Sequence, residues 1–139
     1  MTNEAVLMRE VALPVSFTCS DSTGIEKGAL LALTDPNTVA TAAGVGLDRV
    51  AGIAAQEKIA LNGQTKIAVY TQGDFKIIGS GSINAGDPVS IWGRDGNMVF
   101  SVAATANLSG NCVLGISKEN STAGQSLRVE LKPQALKSA

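Results

Sequence analysis

The stretch Ile83-Asn-Ala-Gly-Asp-Pro-Val-Ser-Ile-Trp-Gly-Arg-Asp-Gly-Asn-Met-Val-Phe100 indicates how the whole chain folds. Apolar and polar residues alternate from Val89 to Ile91, as in a half-buried strand, and Met98 to Phe100 forms a second short apolar run. Between them, Gly93-Arg94-Asp95-Gly96 supplies the Asp-Gly pair that accepts the positive φ angles of a tight turn. Pro88 has no amide hydrogen to donate, which suits the start of a strand. The stretch therefore predicts a β-hairpin.

The pattern around this hairpin also occurs in the first half of the chain. Three pairs of short segments have similar residues in the same order: Ile25-Glu-Lys-Gly28 with Ile83-Asn-Ala-Gly86, Val50-Ala-Gly-Ile53 with Val113-Leu-Gly-Ile116, and Gly63-Gln-Thr65 with Gly124-Gln-Ser126. Each half also has an Asp-containing turn followed by a strand with a valine. Such ordered matches predict two copies of one β unit, at about residues 25–78 and 83–131.

Two further strands are predicted near the ends of the chain. Residues 13–19 alternate between apolar and polar side chains, and Pro14 favours an edge or a strand start. Ser126 to Leu131 alternates in the same way. Pro133 is expected to end its pairing, because proline cannot donate to a strand ladder.

The middle of the chain predicts a second hairpin. Gly63 to Thr71 and Phe75 to Ile78 have strand composition, and Gln72-Gly73-Asp74 is a turn sequence between them. Gly79-Ser-Gly-Ser82 follows as a flexible linker between the two copies.

Residues 38–55 are compatible with a helix or a strand. Three glycines in this region oppose a helix, since each costs roughly 1 kcal/mol relative to alanine in a helix interior: Gly44, Gly46 and Gly52. Val50 to Ala55 is therefore predicted to be a strand.

Short strands separated by Gly, Asn and Asp turns indicate an all-β fold, a small barrel or sandwich built from two similar β units. We expect an N-terminal arm at residues 1–12, a single β domain at residues 13–133 and a C-terminal tail at residues 134–139. A chain of 139 residues is long enough for one domain with its own core.

The N-terminal arm contains four large apolar residues: Val6, Leu7, Met8 and Val11. Two interpretations remain open, a frayed terminus and a segment that becomes ordered on a neighbour. Because these residues lie on no single strand face, residues 2–11 are expected to be mobile in the free protein and ordered on a partner.

Composition excludes several classes of partner. The net charge is −1 and no cluster of Lys or Arg is present, which opposes nucleic-acid binding. No stretch approaches the ~20 consecutive apolar residues of a membrane-spanning helix. The first residues, Met-Thr-Asn-Glu-Ala, lack the pattern of a signal peptide, so synthesis in a cytoplasm is expected.

The residue types and motifs of the chain predict no enzyme, no metal and no cofactor. The chain has no histidine, the commonest general base and transition-metal ligand. Cys19 and Cys112 are too few for a structural zinc site; they are interpreted as two buried thiols, with a disulfide as the open alternative. Gly79-Ser-Gly-Ser82 lacks the G-x-S-x-G frame of a nucleophile loop.

Several of these motifs together resemble tailed-phage capsid decoration, or cement, proteins of the DUF2190-like family. The matching segments span most of residues 25–131: Val50-Ala-Gly-Ile-Ala54, Ile83-Asn-Ala-Gly-Asp-Pro-Val89, Asp95-Gly96, Val113-Leu-Gly-Ile-Ser117 and Ser126-Leu-Arg-Val-Glu-Leu131. The N-terminal segment up to Cys19 does not align with the family.

The resemblance implies a non-enzymatic protein on the outer surface of an icosahedral phage head. It would bind the major capsid protein, stabilise the capsid lattice and act as a homotrimer. A head fibre or tail component, or a carbohydrate-binding β domain, would share the composition. One Trp and one Tyr oppose the last of these, because sugar sites usually use aromatic platforms.

The expected contact residues with the capsid or a second subunit are Val6, Leu7, Met8, Val11 and Trp92. Trp92 directly follows Ile91, so the two side chains should point to opposite faces of a strand. If Ile91 faces the core, Trp92 faces a partner. Self-association as a trimer is expected because exposed strand edges in a β protein favour pairing with other copies.

Overall fold

The computed structural model describes residues 3–42, 49–92, 97–102 and 113–134. Every regular element in these ranges is a β-strand, which confirms the all-β prediction. In chain order the strands are β1 (Val6–Arg9), β2 (Val15–Cys19), β3 (Leu30–Asp35), β4 (Thr38–Thr41), β5 (Val50–Ala54), β6 (Lys66–Tyr70), β7 (Gly73–Gly79), β8 (Pro88–Trp92), β9 (Met98–Ser101), β10 (Val113–Ser117) and β11 (Ser126–Gln134).

Two closed barrels with the same strand connectivity make up the fold. Barrel 1 has the strand order β2-β4-β3-β5-β6, with β2 and β4 parallel and the remaining neighbours antiparallel. Barrel 2 repeats this order as β7-β9-β8-β10-β11, with β7 and β9 parallel. The prediction of two similar β units is therefore confirmed, and the units are barrels.

Equivalent positions in the two barrels have equivalent structural roles. Gly28 and Gly86 both have a positive φ just before the second strand of their barrel. Isolated bridges join Ile25 to Lys58 in barrel 1 and Ile83 to Ser121 in barrel 2. The repeat in the sequence thus extends to the loops that close one end of each barrel.

The Val-x-Gly-Ile motif has the same physical cause in both barrels. A Cβ atom at Gly52 would collide with the carbonyl oxygen of Tyr70 on β6, and one at Gly115 with the carbonyl oxygen of Glu130 on β11. Each of these oxygens belongs to the backbone of the adjacent strand, which cannot move aside without disturbing the barrel. Only glycine fits at the two positions.

Two local predictions are wrong. β6 and β7 do not pair with each other, because barrel closure places β6 between β5 and β2. The segment Gly79-Ser-Gly-Ser82 likewise connects β7 to β8 inside barrel 2 and does not join one barrel to the other.

Pro133 does not end the last strand. β11 continues to Gln134, which lies opposite Val113 after a shift in the register with β10. Such a bulge interrupts the regular ladder, so a residue without an amide hydrogen is tolerated there.

Other predictions agree with the strand pairing. β8 and β9 form the expected antiparallel hairpin, although its turn at residues 93–96 lies outside the described residues. Val50–Ala54 is a strand, as expected. Cys19 is a buried free thiol, and burial raises its pKa despite the opposing effect of Lys58. Cys112 lies outside the described residues, and the free Cys19 is not joined to it by a disulfide.

The N-terminal segment packs within its own chain, contrary to expectation. Val6–Arg9 forms β1, which pairs antiparallel with β7 beside barrel 2. The Ala5 amide donates to the Gly28 carbonyl at 3.1 Å, and the Tyr70 hydroxyl donates to the Glu10 carboxylate at 3.3 Å. Burial, with the Glu10 charge adding to it, raises the pKa of Tyr70. The arm therefore contacts both barrels.

The two barrels share one apolar core at their junction. The interior of barrel 2 is continuous with residues of barrel 1 that point toward it, including Leu30, Val50 and Ile53. A separate cluster fills barrel 1, with Leu31, Ile67 and Val69 among its members. Separation of the barrels would expose the shared part to water.

Asn97 joins both barrels and the N-terminal arm. It is buried just before β9, and its Oδ1 accepts the Leu30 amide at 2.7 Å. Its Nδ2 donates to the Asn3 carbonyl at 2.8 Å and to the Gly28 carbonyl at 3.0 Å. One side chain thus satisfies three backbone groups that belong to no strand ladder across the junction.

We expect Gly115→Ala to lower the free energy of unfolding by about 2–3 kcal/mol, because the new methyl group collides with the β11 backbone. Chemical denaturation followed by circular dichroism measures this value. Gly81→Ala is the matched control, since no atom lies within 4 Å of a Cβ built there. Equal stability of the two variants would contradict the steric explanation.

We expect Asn97→Gly to cost about 2–4 kcal/mol of stability, because the buried Leu30 amide loses its partner and the Asn3 and Gly28 carbonyls each lose a hydrogen bond, while glycine retains the positive φ of 55°. Asn37→Gly is the control. Asn37 has a φ of 54° at the equivalent position before β4 and is exposed to solvent. If both substitutions cost the same, backbone conformation rather than the junction hydrogen bonds determines the effect.

Candidate functional site

One face of barrel 2 carries an apolar surface that points away from the core. On β7, Phe75 and Ile77 are buried, so the alternating residues Lys76 and Ile78 point outward. Residues directly opposite each other on neighbouring strands share a face. The strand register therefore extends this outer surface to both sides of β7.

We call this surface the outer face of barrel 2. Val6 lies opposite Lys76, Met98 lies opposite Ile78, and Trp92 lies opposite Met98. Val6 is 50% exposed, and Met8, in the bulge of β1, is 53% exposed. The apolar members of the outer face are Val6, Met8, Ile78, Trp92, Met98 and Phe100.

Trp92 lies on this face, as its position after Ile91 predicts. Ile91 is buried in the core, and the half-buried Trp92 ring packs edge-to-face against Phe100 with a centroid distance of 5.4 Å. The edge-to-face geometry makes a rigid apolar contact and covers part of each ring. This pair offers apolar area rather than two parallel stacking platforms.

The structure separates the five predicted contact residues into three groups. Val6, Met8 and Trp92 share the outer face of barrel 2. Leu7 points the other way and packs against the core beside Phe75, its partner in the register. Val11 lies between β1 and β2 in the chain and is exposed, as are Leu13 and Val15. A single contact surface formed by all five is therefore excluded.

Charged residues next to the outer face are paired with each other. Asp74 is almost buried between two cations: Arg128 Nη2 lies 2.6 Å from Asp74 Oδ2, and Arg9 Nε lies 3.4 Å from the same oxygen. Glu130 contacts Lys118 at 2.9 Å and Lys132 at 3.5 Å. These pairs fix the position of β1 against β7 and β11, and the exposed Lys76 is a further charge on the outer face itself.

Lys58 is a buried lysine that no sequence pattern distinguishes from the exposed lysines of the chain. Its Nζ donates to the carbonyl oxygens of Asp21, Thr23 and Ile59 at 3.0, 2.9 and 3.3 Å. All three donors of the ammonium group are thus used to close one end of barrel 1. This arrangement serves structure, because no proton of the amine is left to interact with a substrate.

Asn97 is the other important side chain that sequence reasoning missed. Its only signal was an asparagine directly before a strand, a position where a positive φ is common. Nothing in the sequence indicated that its amide would reach the start of β3.

Within residues 3–42, 49–92, 97–102 and 113–134, no group of three His, Cys, Asp or Glu side chains could hold a metal ion. In the same ranges, no helix is long and apolar enough to cross a membrane.

No protein-family model matches the chain, and no curated protein matches it either, so the resemblance to the capsid decoration family is not confirmed. Among solved structures, the chain is similar to the crystal structure of the head fiber gp8.5 N base in bacteriophage phi29. The identity is 18% and the TM-score is 0.52, over 89% of this chain and 98% of that chain. At this identity the similarity shows a shared fold.

We expect Lys118→Gln to raise the pKa of Glu130 toward its ordinary value of 4.5. The Lys118 hydrogen bond is the largest cause that holds this pKa low, and it outweighs the opposing effect of burial. Carboxyl NMR titration measures the pKa directly. Lys132→Gln is the control and should shift it less, because its contact is longer.

The sign of the pH effect follows from the lowered pKa. Glu130 contributes stability above its unfolded-state pKa, and this contribution is lost as the pH falls through the lower folded-state pKa. The stability difference between wild type and Lys118→Gln should therefore be full at neutral pH and decline in acid. A difference that is constant with pH would show that the pair is not its source.

Proposed function

We propose that this chain is a structural protein of a tailed-phage virion and forms the base that carries a head fibre on the outer surface of the head. The observation that carries the proposal is the shared fold with the phi29 head-fibre base, because the similarity extends over nearly the full length of both chains. A match that covers two barrels and their connection is less expected by chance than a match of one small barrel.

The outer face of barrel 2 is the surface that suits attachment to the head. Its apolar residues lie on paired strands, whose backbone is already ordered, so contact with a partner costs little conformational entropy. Charged neighbours such as Asp74 and Glu130 are already paired, so the attraction would come from apolar contact and from the exposed Lys76. Many copies on a regular lattice would convert modest single contacts into stable attachment when the copies are linked.

A capsid decoration, or cement, protein is the second candidate. Its support is the sequence resemblance, above all the Val-x-Gly-Ile segments and the last strand at residues 126–131. The major capsid protein would be the partner in both cases, and a homotrimer is compatible with both. The candidates differ in one physical property, since a cement protein must stabilise the lattice whereas a fibre base need only bind it.

A carbohydrate-binding domain has less support from the structure than the two virion roles. The aromatic pair on the outer face, Trp92 and Phe100, is arranged edge-to-face at an interplanar angle of 73°. This arrangement suits packing against protein side chains at least as well as stacking on a sugar ring.

We expect the double variant Val6→Ser/Met8→Ser to bind purified heads that lack this protein about tenfold more weakly than wild type, because two half-exposed apolar side chains lose their transfer energy. Co-sedimentation measures the affinity. Ile59→Ser is the control, since Ile59 is also exposed but lies at the closed end of barrel 1. Equal binding of both variants would show that the outer face of barrel 2 is not the attachment surface.

Thermal rupture of the heads distinguishes the two virion roles. Heads are heated with and without saturating wild-type protein, and release of DNA is followed by dye fluorescence. An unchanged rupture temperature supports a fibre base. A large increase supports the cement role, and failure of the wild-type chain to bind heads overturns both.

A further inference from the structure

The two barrels differ at one strand edge, although their connectivity is the same. In barrel 2, β7 has two neighbours on the side away from β11: β9 pairs with Ile78 and Gly79, and β1 pairs with Asp74 to Lys76. In barrel 1, β4 pairs with Thr18 and Cys19 of β2 in the same parallel arrangement as β9. Among the described strands, none takes the place of β1 there.

The register identifies the vacant positions residue by residue. Val15 lies opposite Val69 on β6, as Phe75 lies opposite Val129 on β11. Ser16 of β2 therefore corresponds to Lys76, which pairs with Val6 of β1. The open edge of barrel 1 thus consists of Pro14, Val15 and Ser16.

The backbone of Ser16 points toward this open edge. Ser16 lies opposite Ala68, whose carbonyl accepts the Ala55 amide on the β5 side, so the polar groups of this pair point away from each other. Two residues further on, the Thr18 amide donates to the Asn37 carbonyl on the same side. The amide and carbonyl of Ser16 are directed to the place where the next strand would lie.

Apolar side chains surround the open edge. Val15 is 48% exposed, whereas its counterpart Phe75 is 1% exposed beside Leu7 of β1. Leu13, just before β2, is 77% exposed. An added strand with an apolar residue opposite Val15 would cover this area in the way that Leu7 covers Phe75.

We propose that the Pro14–Ser16 edge of β2 is a docking site for an extended, uncharged segment of the head protein, which adds to barrel 1 as β1 adds to barrel 2. Pairing of a partner strand with an open edge is an established way of binding peptides. The equivalent edge of barrel 2 is already such an interface. The identity of the partner rests on the proposed function.

Charge determines which segment fits. Residues 11–20 contain no Asp, Glu, Lys or Arg, so the β2 strand itself offers no counter-charge to a charged residue in the partner strand. A second copy of this chain is a weaker occupant. Its β1 is already paired with β7, and its own β2 edge is closed by β4 from Thr18 onward.

Hydrogen exchange at Ser16 tests the site in the wild-type protein. In the free protein the Ser16 amide should exchange rapidly, whereas the Lys76 amide should be protected. On binding to purified heads that lack this protein, protection of Ser16 should rise. Wild-type binding without this protection would overturn the inference but leave the proposed function standing.

The matched variants are Ser16→Pro and Ser16→Ala. Proline removes only an amide hydrogen that points to the open edge, so the fold should persist, while alanine keeps the amide. Binding of heads by Ser16→Pro should be about tenfold weaker or more, with Ser16→Ala close to wild type. Equal binding of the two variants would overturn the inference. If Ser16→Pro does not fold, hydrogen exchange at Ser16 of the wild-type protein decides whether the inference holds.

Two further outcomes are distinguishable. Failure of the wild-type chain to bind heads would overturn the proposed function and, with it, the head protein as occupant. Protection of Ser16 in the free protein that rises with protein concentration would assign the edge to a second copy and overturn the inference as stated.

Discussion

The hydrogen bonds of Asn97 are the interaction on which the arrangement of the two barrels depends. At the junction the carboxamide of Asn97 bonds to the buried amide of Leu30 and to the carbonyls of Gly28 and Asn3, none of which it meets through a strand ladder. A carboxamide has both an acceptor and two donors, and it is short enough to tolerate the positive φ required before β9. The shared apolar core supplies most of the attraction between the barrels, but the carboxamide defines their relative position.

Differences between equivalent positions follow from the different surroundings of the two barrels. Asn97 and Asn37 have the same backbone conformation, yet only Asn97 faces another barrel. Lys58 closes barrel 1 with its ammonium group, whereas Ser121 closes barrel 2 with hydrogen bonds to the carbonyls of Thr122 and Gln125. A unit of about 60 residues buries little surface alone, so side chains at the junction decide whether a duplicated unit is stable.

Local features were predictable from the sequence, and distant pairings were not. The structure contains three features that depend on neighbouring residues or on matching patterns: the Val-x-Gly-Ile strands, the β8–β9 hairpin and the repeat. Barrel closure joins β7 to β11, far away in sequence, and no local pattern distinguishes this from a β6–β7 hairpin. The arm was missed for the same reason: only the presence of β7 makes Leu7 an inward residue. Within the candidate site, Trp92 could be placed from its neighbour Ile91, whereas Leu7 and Val11 could not be assigned to a face.

Closure of both barrels changes the physical basis for association. Exposed strand edges were the original reason to expect self-pairing, yet in the described residues each barrel strand has neighbours on both sides, apart from a short part of β2. Long-range charge attraction is also small, because Asp74 and Glu130 are paired within the chain and the net charge is −1. Under the proposed function, attachment would therefore rely on short-range contact, through the apolar outer face of barrel 2 and backbone pairing at β2. For a single partner that engages both proposed surfaces, the junction at Asn97 would also set the distance between them.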